Sequence, residues 1–473
     1  VDSVRGAKGS ISSKDELVSH VQDGKVLVVD GYMIQGRDLI AFMQEHPGVA
    51  IQVTHAIIEG GLDFSTIPLI PLEDIVQRTT WSQEEKEAWM ARKHGDRVKA
   101  TPLLTRHIQI TDTDIRAPQP LSEGPSSVAI DARGAFFSGG AAFEETRFSG
   151  EAHFDNATFS GRARFWGATF SGGAVFGDAA FSGEAAFWRA TFSGWAEFPY
   201  IPFSGVATFE GARFSGQAAF EEARFSGEAR FAKATFSGEA AFGAVTFSSL
   251  AGFNRATFNG RAYFERARFD TLASFKEARF FDRLILRFGL FKTSADFRDT
   301  YIRQLDLHNA DSTAMLEGRL DFRRARISEA HLQDVTFEKD VNFSDAVFGA
   351  PVPPEAQAAQ RGGTPENTCA TSGSACVTVF RFITFEGHAD FLRTHFAGPT
   401  SLERVTFRKD ANFTGATVKG RAEYGKPMLA FSYVNVAQLR TRWAQLPDPR
   451  SWAHDGGEPI RSFVDREDTK RST

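Results

Sequence analysis

The sequence predicts an all-β solenoid, and three observations carry that expectation. Between residues 143 and 280 a Phe recurs at alternating intervals of five and six residues, filling twenty-six consecutive slots, so the period is eleven. An Ala stands two residues before each Phe, with exceptions at Thr146, Ile201 and Val245. Ser-Gly follows most alternate Phe, as in Phe148-Ser149-Gly150 and Phe236-Ser237-Gly238. The unit reads Ala-x-Phe-Ser-Gly-x-Ala-x-Phe-x-x, and a period this short and strict marks a stack of small repeated units.

An eleven-residue period can also wind a helical coiled coil. A Gly in nearly every repeat argues against it, at about 1 kcal/mol each in a helix interior. The Ala-x-Phe triplet has the two-residue alternation that turns both side chains to one side of an extended segment. Each triplet is therefore a short strand with Ala and Phe inside. Ser-Gly is expected to supply a corner, because Gly accepts positive φ without a steric penalty.

This pattern resembles the Phe-centred branch of the pentapeptide-repeat proteins, whose unit is a small residue, a polar one, a central Leu or Phe and two polar residues. The resemblance implies a right-handed, four-sided β-helix with one unit per side. The chain departs from it by one extra residue in every second side, which implies a coil of roughly twenty-two residues. A flat, two-sided coil of eleven residues stays open as the alternative. The core ladder is expected to include Phe143, Phe148, Phe154, Phe159, Phe165, Phe170, Phe187, Phe231 and Phe242, buried and stacked.

Taken in order, residues 1–48 read as a mixed α/β N-terminal cap. It holds a Ser13-capped helix, a strand over 25–30 and a helix over 36–46. Residues 49–131 read as irregular first coils with a helical insertion over 84–97, and 132–283 as the regular Phe-rich solenoid. Residues 284–348 are degenerate coils, and 349–378 an extruded loop. Residues 379–425 resume the beat. Residues 426–473 form a C-terminal cap, with a short helix over 437–446, and an extended tail.

Cys369 and Cys376, the two cysteines, lie close together in a Gly/Ser/Thr loop and are expected to form a disulfide. The chain opens on Val1 and not on Met, as a mature exported product or a trimmed chain would. Both features favour a secreted or cell-surface location, with a cytoplasmic one as the alternative. No apolar run approaches the roughly 18 residues of a membrane span. The net charge of −5 does not point to nucleic acid.

No catalytic constellation, cofactor motif or small-molecule site emerges. The Gly-rich clusters follow the eleven-residue beat and read as corners, not phosphate cradles. His153, His308, His331, His388 and His395 lack metal spacing. Asp and Glu fall in outward slots, where solvated charge is expected. Asn156, Asn342 and Asn412 head glycosylation-like triplets that the repeat produces by itself.

The outward aromatics point to a contact surface. Trp166 and Trp188 share a repeat slot twenty-two residues apart, so a coil of that length stacks them one above the other. Trp195 and Tyr200 follow closely, and Trp452 and Phe463 are spaced like anchors of an arm.

The leading expectation is a non-catalytic structural scaffold that binds protein, chiefly itself, as a filament subunit. The alternative is a monomeric binding scaffold. The family includes DNA-mimicking topoisomerase binders, but residues 132–283 carry sixteen acidic and sixteen basic residues, a net of zero. Ice binding would need flat Thr ladders. Thr158, Thr169, Thr191, Thr235, Thr246 and Thr257 are interrupted in the same slot by Arg147, Arg213, Arg224, Arg268 and Arg279.

Overall fold

The computed structural model describes residues 8–46, 49–64, 67, 69–71, 100–104, 108–111, 113–116, 128–137, 140–308, 316–355, 377–418, 429–432 and 434–440. They form a β-solenoid of about 15 turns with about 22 residues per coil, and two helices. The eleven-residue coil is thereby excluded. The chain divides into two units, residues 1–238 with 247–249, and residues 239–246 with 250–473.

The first unit shows the coil in its most regular form. Side 1 holds the strand Ala163–Arg164, paired in parallel with Ala141–Ala142 and Ala185–Ala186. Side 2 holds Thr169–Phe170, between Arg147–Phe148 and Thr191–Phe192. Side 3 holds Ala174–Val175, between Glu151–His153 and Ala196–Glu197. Side 4 holds Ala180–Phe181, between Thr158–Phe159 and Pro202–Phe203. Sides 1 and 3 are the five-residue units and sides 2 and 4 the six-residue units. The two kinds point their amides in opposite directions. Phe165 N donates to Ala186 O of the following coil at 2.7 Å, and Ser171 N to Phe148 O of the preceding coil at 2.9 Å.

Phe and Ala from all four sides fill the interior, and every ladder Phe anticipated above is buried to within 1%. Rings one coil apart stack face to face. Phe165, Phe187, Phe209 and Phe231 follow one another at 4.9 Å with interplanar angles of 1–2°. On side 2, Phe170, Phe192, Phe214 and Phe236 do so at 4.8 Å. Across the core the rings meet edge to face, as Phe176 and Phe187 do at 5.4 Å and 88°. Burying each ring is worth about 1.5–3 kcal/mol, and each favourable ring pair about 0.5–1.5 kcal/mol more. Ala is the partner because a larger side chain would compete with the rings for the same interior.

The corners depart from expectation. Positive φ falls at the second residue after the Phe of sides 1 and 3, at Gly167, Asp178, Arg189, Tyr200, Gly211, Glu222 and Lys233 among others, and not at the Ser-Gly corners. Each such residue closes a four-residue turn, as in Ala190 N to Phe187 O at 3.1 Å. Ser-Gly glycines serve a different purpose. A Cβ on Gly194 would lie 2.5 Å from Gly172 O, and one on Gly216 would lie 2.6 Å from Gly194 O. Neighbouring coils therefore touch backbone to backbone in this column. Gly is required there by close approach, not by its freedom at positive φ.

The first unit begins with a strand at Gly9–Ile11, helix α1 (Lys14–Val18) and helix α2 (Gly36–Glu45). Ser13 Oγ accepts from Glu16 N at 3.3 Å, which caps α1, and the Glu16 carboxylate accepts from the amide of Ser12, the residue before the cap, at 2.9 Å. Leu39, Phe42 and Met43 of α2 are buried. Val26–Asp30 pairs in parallel with Ala50–Thr54, which pairs with Ile108–Thr111, so coil pairing already starts inside the cap.

In the second unit the strands lengthen, with Tyr301–His308, Arg326–Phe337 and Thr378–Phe385 adjacent and parallel. Aliphatic and Phe side chains share one column here, Leu307, Leu332, Phe380, Leu402 and Phe431 being in register. The Phe ladder persists through Phe275, Phe297, Phe322 and Phe343, at 4.7–5.2 Å. Residues 435–440 form a strand paired with Thr406–Asn412, where the sequence suggested a helix from 437. Its pairing with the preceding coil continues the solenoid, and that outweighs local helix propensity. The helix expected over 84–97 and the cysteines Cys369 and Cys376 lie outside the described residues.

Phe187→Ala should destabilise by about 3–5 kcal/mol. Hydrogen exchange should show the loss concentrated in strands adjacent to residues 185–192, because solenoid stability is carried by nearest neighbours. The two kinds of glycine also separate by substitution. Gly194→Ala should lower the melting temperature, because its Cβ meets backbone. Gly211→Asn should change it little. Its φ of 65° is one that Asp178 and Arg189 adopt in the same slot, and the nearest atom to its Cβ is Arg189 Cγ at 3.5 Å.

Candidate interaction surface

With the ladder Phe turned inward, a partner meets the outward and corner slots, where Phe382 is itself exposed. Trp166 and Trp188 occupy the corner between sides 1 and 2 in successive coils, their ring centroids 6.1 Å apart at 47°. The Arg189 guanidinium lies 4.3 Å from the Trp188 ring centroid, a cation–π contact. Trp195 stands at the next corner, where its indole covers Gly173 of the preceding coil so closely that a side chain there would collide. Tyr200 stands at the corner after that, with φ of 60°. Trp188, Trp195 and Tyr200 are 37%, 42% and 43% exposed, so one coil carries large aromatics on three successive corners. Trp452 and Phe463 lie outside the described residues.

The outer surface of side 3 holds an arrangement that the sequence reading missed. Register places His153, Val175, Glu197 and Ala219 in one column. His153 bridges two carboxylates, Nε2 lying 3.0 Å from Glu151 and Nδ1 3.5 Å from Asp155. Burial pushes the Asp155 carboxyl above the usual carboxylate range, against the pull of His153 and Arg133. Burial also pushes Glu197 up, and the charge of Asp155 adds to it. These carboxylates are not solvated as expected. The available signal was Gly173-Ala-Val-Phe-Gly177, a side whose outward slots carry no long side chain between two that do.

Elsewhere the outward charges pair along the stack. Arg255 meets Glu277 at 2.7 Å, Arg324 meets Asp299 at 2.6 Å, and Arg393 meets Asp345 at 2.6 Å. His331 lies 2.7 Å from Glu329 and His395 2.8 Å from Thr417. Among the described residues no group of three or more His, Cys, Asp or Glu is placed to hold a metal ion. No described helix is long and apolar enough to cross a membrane.

Two carboxylates therefore have opposite effects on stability. Glu197 titrates above its unfolded value, so its ionised form opposes folding, and the penalty is relieved as pH falls through the raised pKa. Arg324 holds Asp299 below its unfolded value, so Asp299 contributes stability above the unfolded pKa and loses it as pH falls through the folded one. Glu197→Gln should leave the melting temperature at pH 7 unchanged or raised. Asp299→Asn should lower it slightly, by the 1 kcal/mol or less (about) of an exposed ion pair. Thermal melts of both variants at pH 7 and pH 4 check the signs.

Residues 129–169 and 198–246 match a family model described as Pentapeptide repeats (9 copies). No curated protein and no solved structure matches the chain. The matched residues contain the sides, turns and Phe ladders described above. Their small-residue and Phe positions are the ones that point inward. The matched four-sided coils are pentapeptide repeats with Phe at the centre.

Proposed function

We propose that this protein is a non-catalytic scaffold that binds other protein, acts outside the cytoplasm and joins copies of itself into a filament. The observation that carries the contact role is the coil with Trp188, Trp195 and Tyr200 exposed on three successive corners. Aromatic residues are enriched where interfaces hold their energy, and here they stand on a rigid frame. Self-association draws support from the second unit. Its last described strands, Leu429–Ser432 and Asn435–Arg440, continue the stacked parallel pairing of the solenoid, a form that another chain can extend by strand pairing. The close pair Cys369 and Cys376 supports an oxidising location.

Removing residues 447–473, which include Trp452 and Phe463, should leave a folded, β-rich protein that no longer associates. Sedimentation velocity across a concentration series, with circular dichroism as the folding control, checks this. Identical monomeric sedimentation of the full and shortened chains would replace the filament with a monomeric binding scaffold.

A further inference from the structure

We propose that residues 350–354 are a strap seated on an aromatic groove of the solenoid wall, and that the same groove takes this segment from a second copy of the chain. The tail at 447–473 plays no part in this contact, which lies beyond the scaffold reading.

Two outward slots of the second unit break the repeat. Phe281 follows the ladder residue Phe280, whereas Ser149, Ser171 and Ser193 follow theirs. Tyr301 stands one coil further on, in register with Arg279 and Arg326. The two rings lie 5.8 Å apart at 50°. Large outward aromatics are exposed elsewhere, as Trp195 and Tyr200 are, but Phe281 and Tyr301 are only 5% and 7% exposed. Val352 packs against both. Ser328, in the next coil, is fully buried, and its Oγ lies 3.1 Å from Tyr301 Oη.

Local sequence shapes the strap. Ala350 N still donates to Ile327 O of the preceding coil at 3.1 Å. Gly349 has a φ of 74°, and Pro351 follows Ala350, so the coil is left here. Pro351-Val352-Pro353-Pro354 then takes an extended, polyproline-like course. Each Pro fixes its own φ, and each residue before a Pro is kept out of the helical region. Tyr301 and Phe281 lie two and three coils behind Val347–Phe348, about 10–14 Å at strand spacing. Four residues of polyproline chain span about 12 Å, so Val352 reaches the rings by running back along the wall.

Chemistry decides the occupant. Three of the four residues at 351–354 are Pro and have no amide hydrogen, so side chains and not strand pairing make the seat. Extended Pro-rich segments are what aromatic-lined grooves accept. The segment that fits this groove is present in every copy of the chain. A copy with its strap lifted therefore offers a groove and a strap to another in the same state. Within one chain the short tether favours its own strap by effective concentration, so exchange requires the strap to be lifted first.

The test uses the full-length protein and a labelled peptide of residues 350–355, Ala-Pro-Val-Pro-Pro-Glu. Val352→Asp sets a charge against the two rings and should lift the strap. Fluorescence anisotropy should show the peptide binding Val352→Asp at least about tenfold more tightly than the parent, whose groove is filled. Adding Tyr301→Ser to Val352→Asp should remove that binding. For exchange, tagged Val352→Asp keeps the groove and untagged Tyr301→Ser keeps the strap. The first should retain the second several-fold more than it retains untagged Val352→Asp. Association through the tail is common to both mixtures and cancels. If Val352→Asp melts early, Val352→Ser, which removes the contact without adding charge, takes its place. Equal peptide affinity for parent and variant, or binding that survives Tyr301→Ser, overturns the groove. Equal retention of the two untagged partners overturns the exchange. Tail-dependent sedimentation is read separately, so the self-association reading outlives either failure.

Discussion

Everything in this structure depends on one coincidence of length. Hydrogen-bonded strands lie about 4.8 Å apart, and benzene rings stacked in parallel are comfortable at nearly the same separation. A Phe in the same slot of every coil therefore needs no adjustment to meet its neighbour, as the 4.9 Å steps from Phe165 to Phe231 show. The ladder and the backbone reinforce each other, and neither has to bend to accommodate the other. The irregular second unit meets the same constraint with mixed columns. Leu332 and Leu402 flank Phe380 in register there, because an aliphatic side chain also fills a slot of this height.

The spacing that suits the rings makes demands on the corners. Coils at this distance bring the Ser-Gly corners into backbone contact, so that column admits almost no side chain. The other corner lies further from its neighbours, and residues as large as Arg189 and Tyr200 take left-handed conformations there. Such a conformation opposes folding by about 1–2 kcal/mol in a residue other than Gly. It is offset by hydrogen bonds to the next coil, such as Arg189 N to Glu210 O at 2.9 Å. One corner is thus limited by space and the other by torsion, and glycine fills the first in most coils, Ser249 and Thr271 standing in that slot where it does not.

An interior made of Phe and Ala leaves function to the outward slots. Some of their charges pair between coils, as Arg255 does with Glu277, and residues 132–283 carry acidic and basic residues in equal number. Against that neutral background two local features stand out. One is the coil with aromatics on three corners. The other is the low row at Gly173 and Gly177, beside which the Asp155 and Glu197 carboxylates are half-buried.

The sequence by itself determined the solenoid, its Phe ladders and the column shared by Trp166 and Trp188. Those features repeat, and a side chain at a fixed interval in a periodic fold has a fixed direction. Its period alone fits coils of eleven or twenty-two residues; the resemblance implied twenty-two, and the structure has about 22. It misread the reason for Ser-Gly, because local propensity speaks of torsion, while the glycine is required by a neighbour twenty-two residues away. The strand at 435–440 was lost for a related reason, its pairing partner at Thr406–Asn412 being remote in sequence. The surroundings of Asp155 and Glu197 likewise depend on three coils together. Burial of a charge is a property of the space around it, and only the tertiary structure decides how much water that space admits.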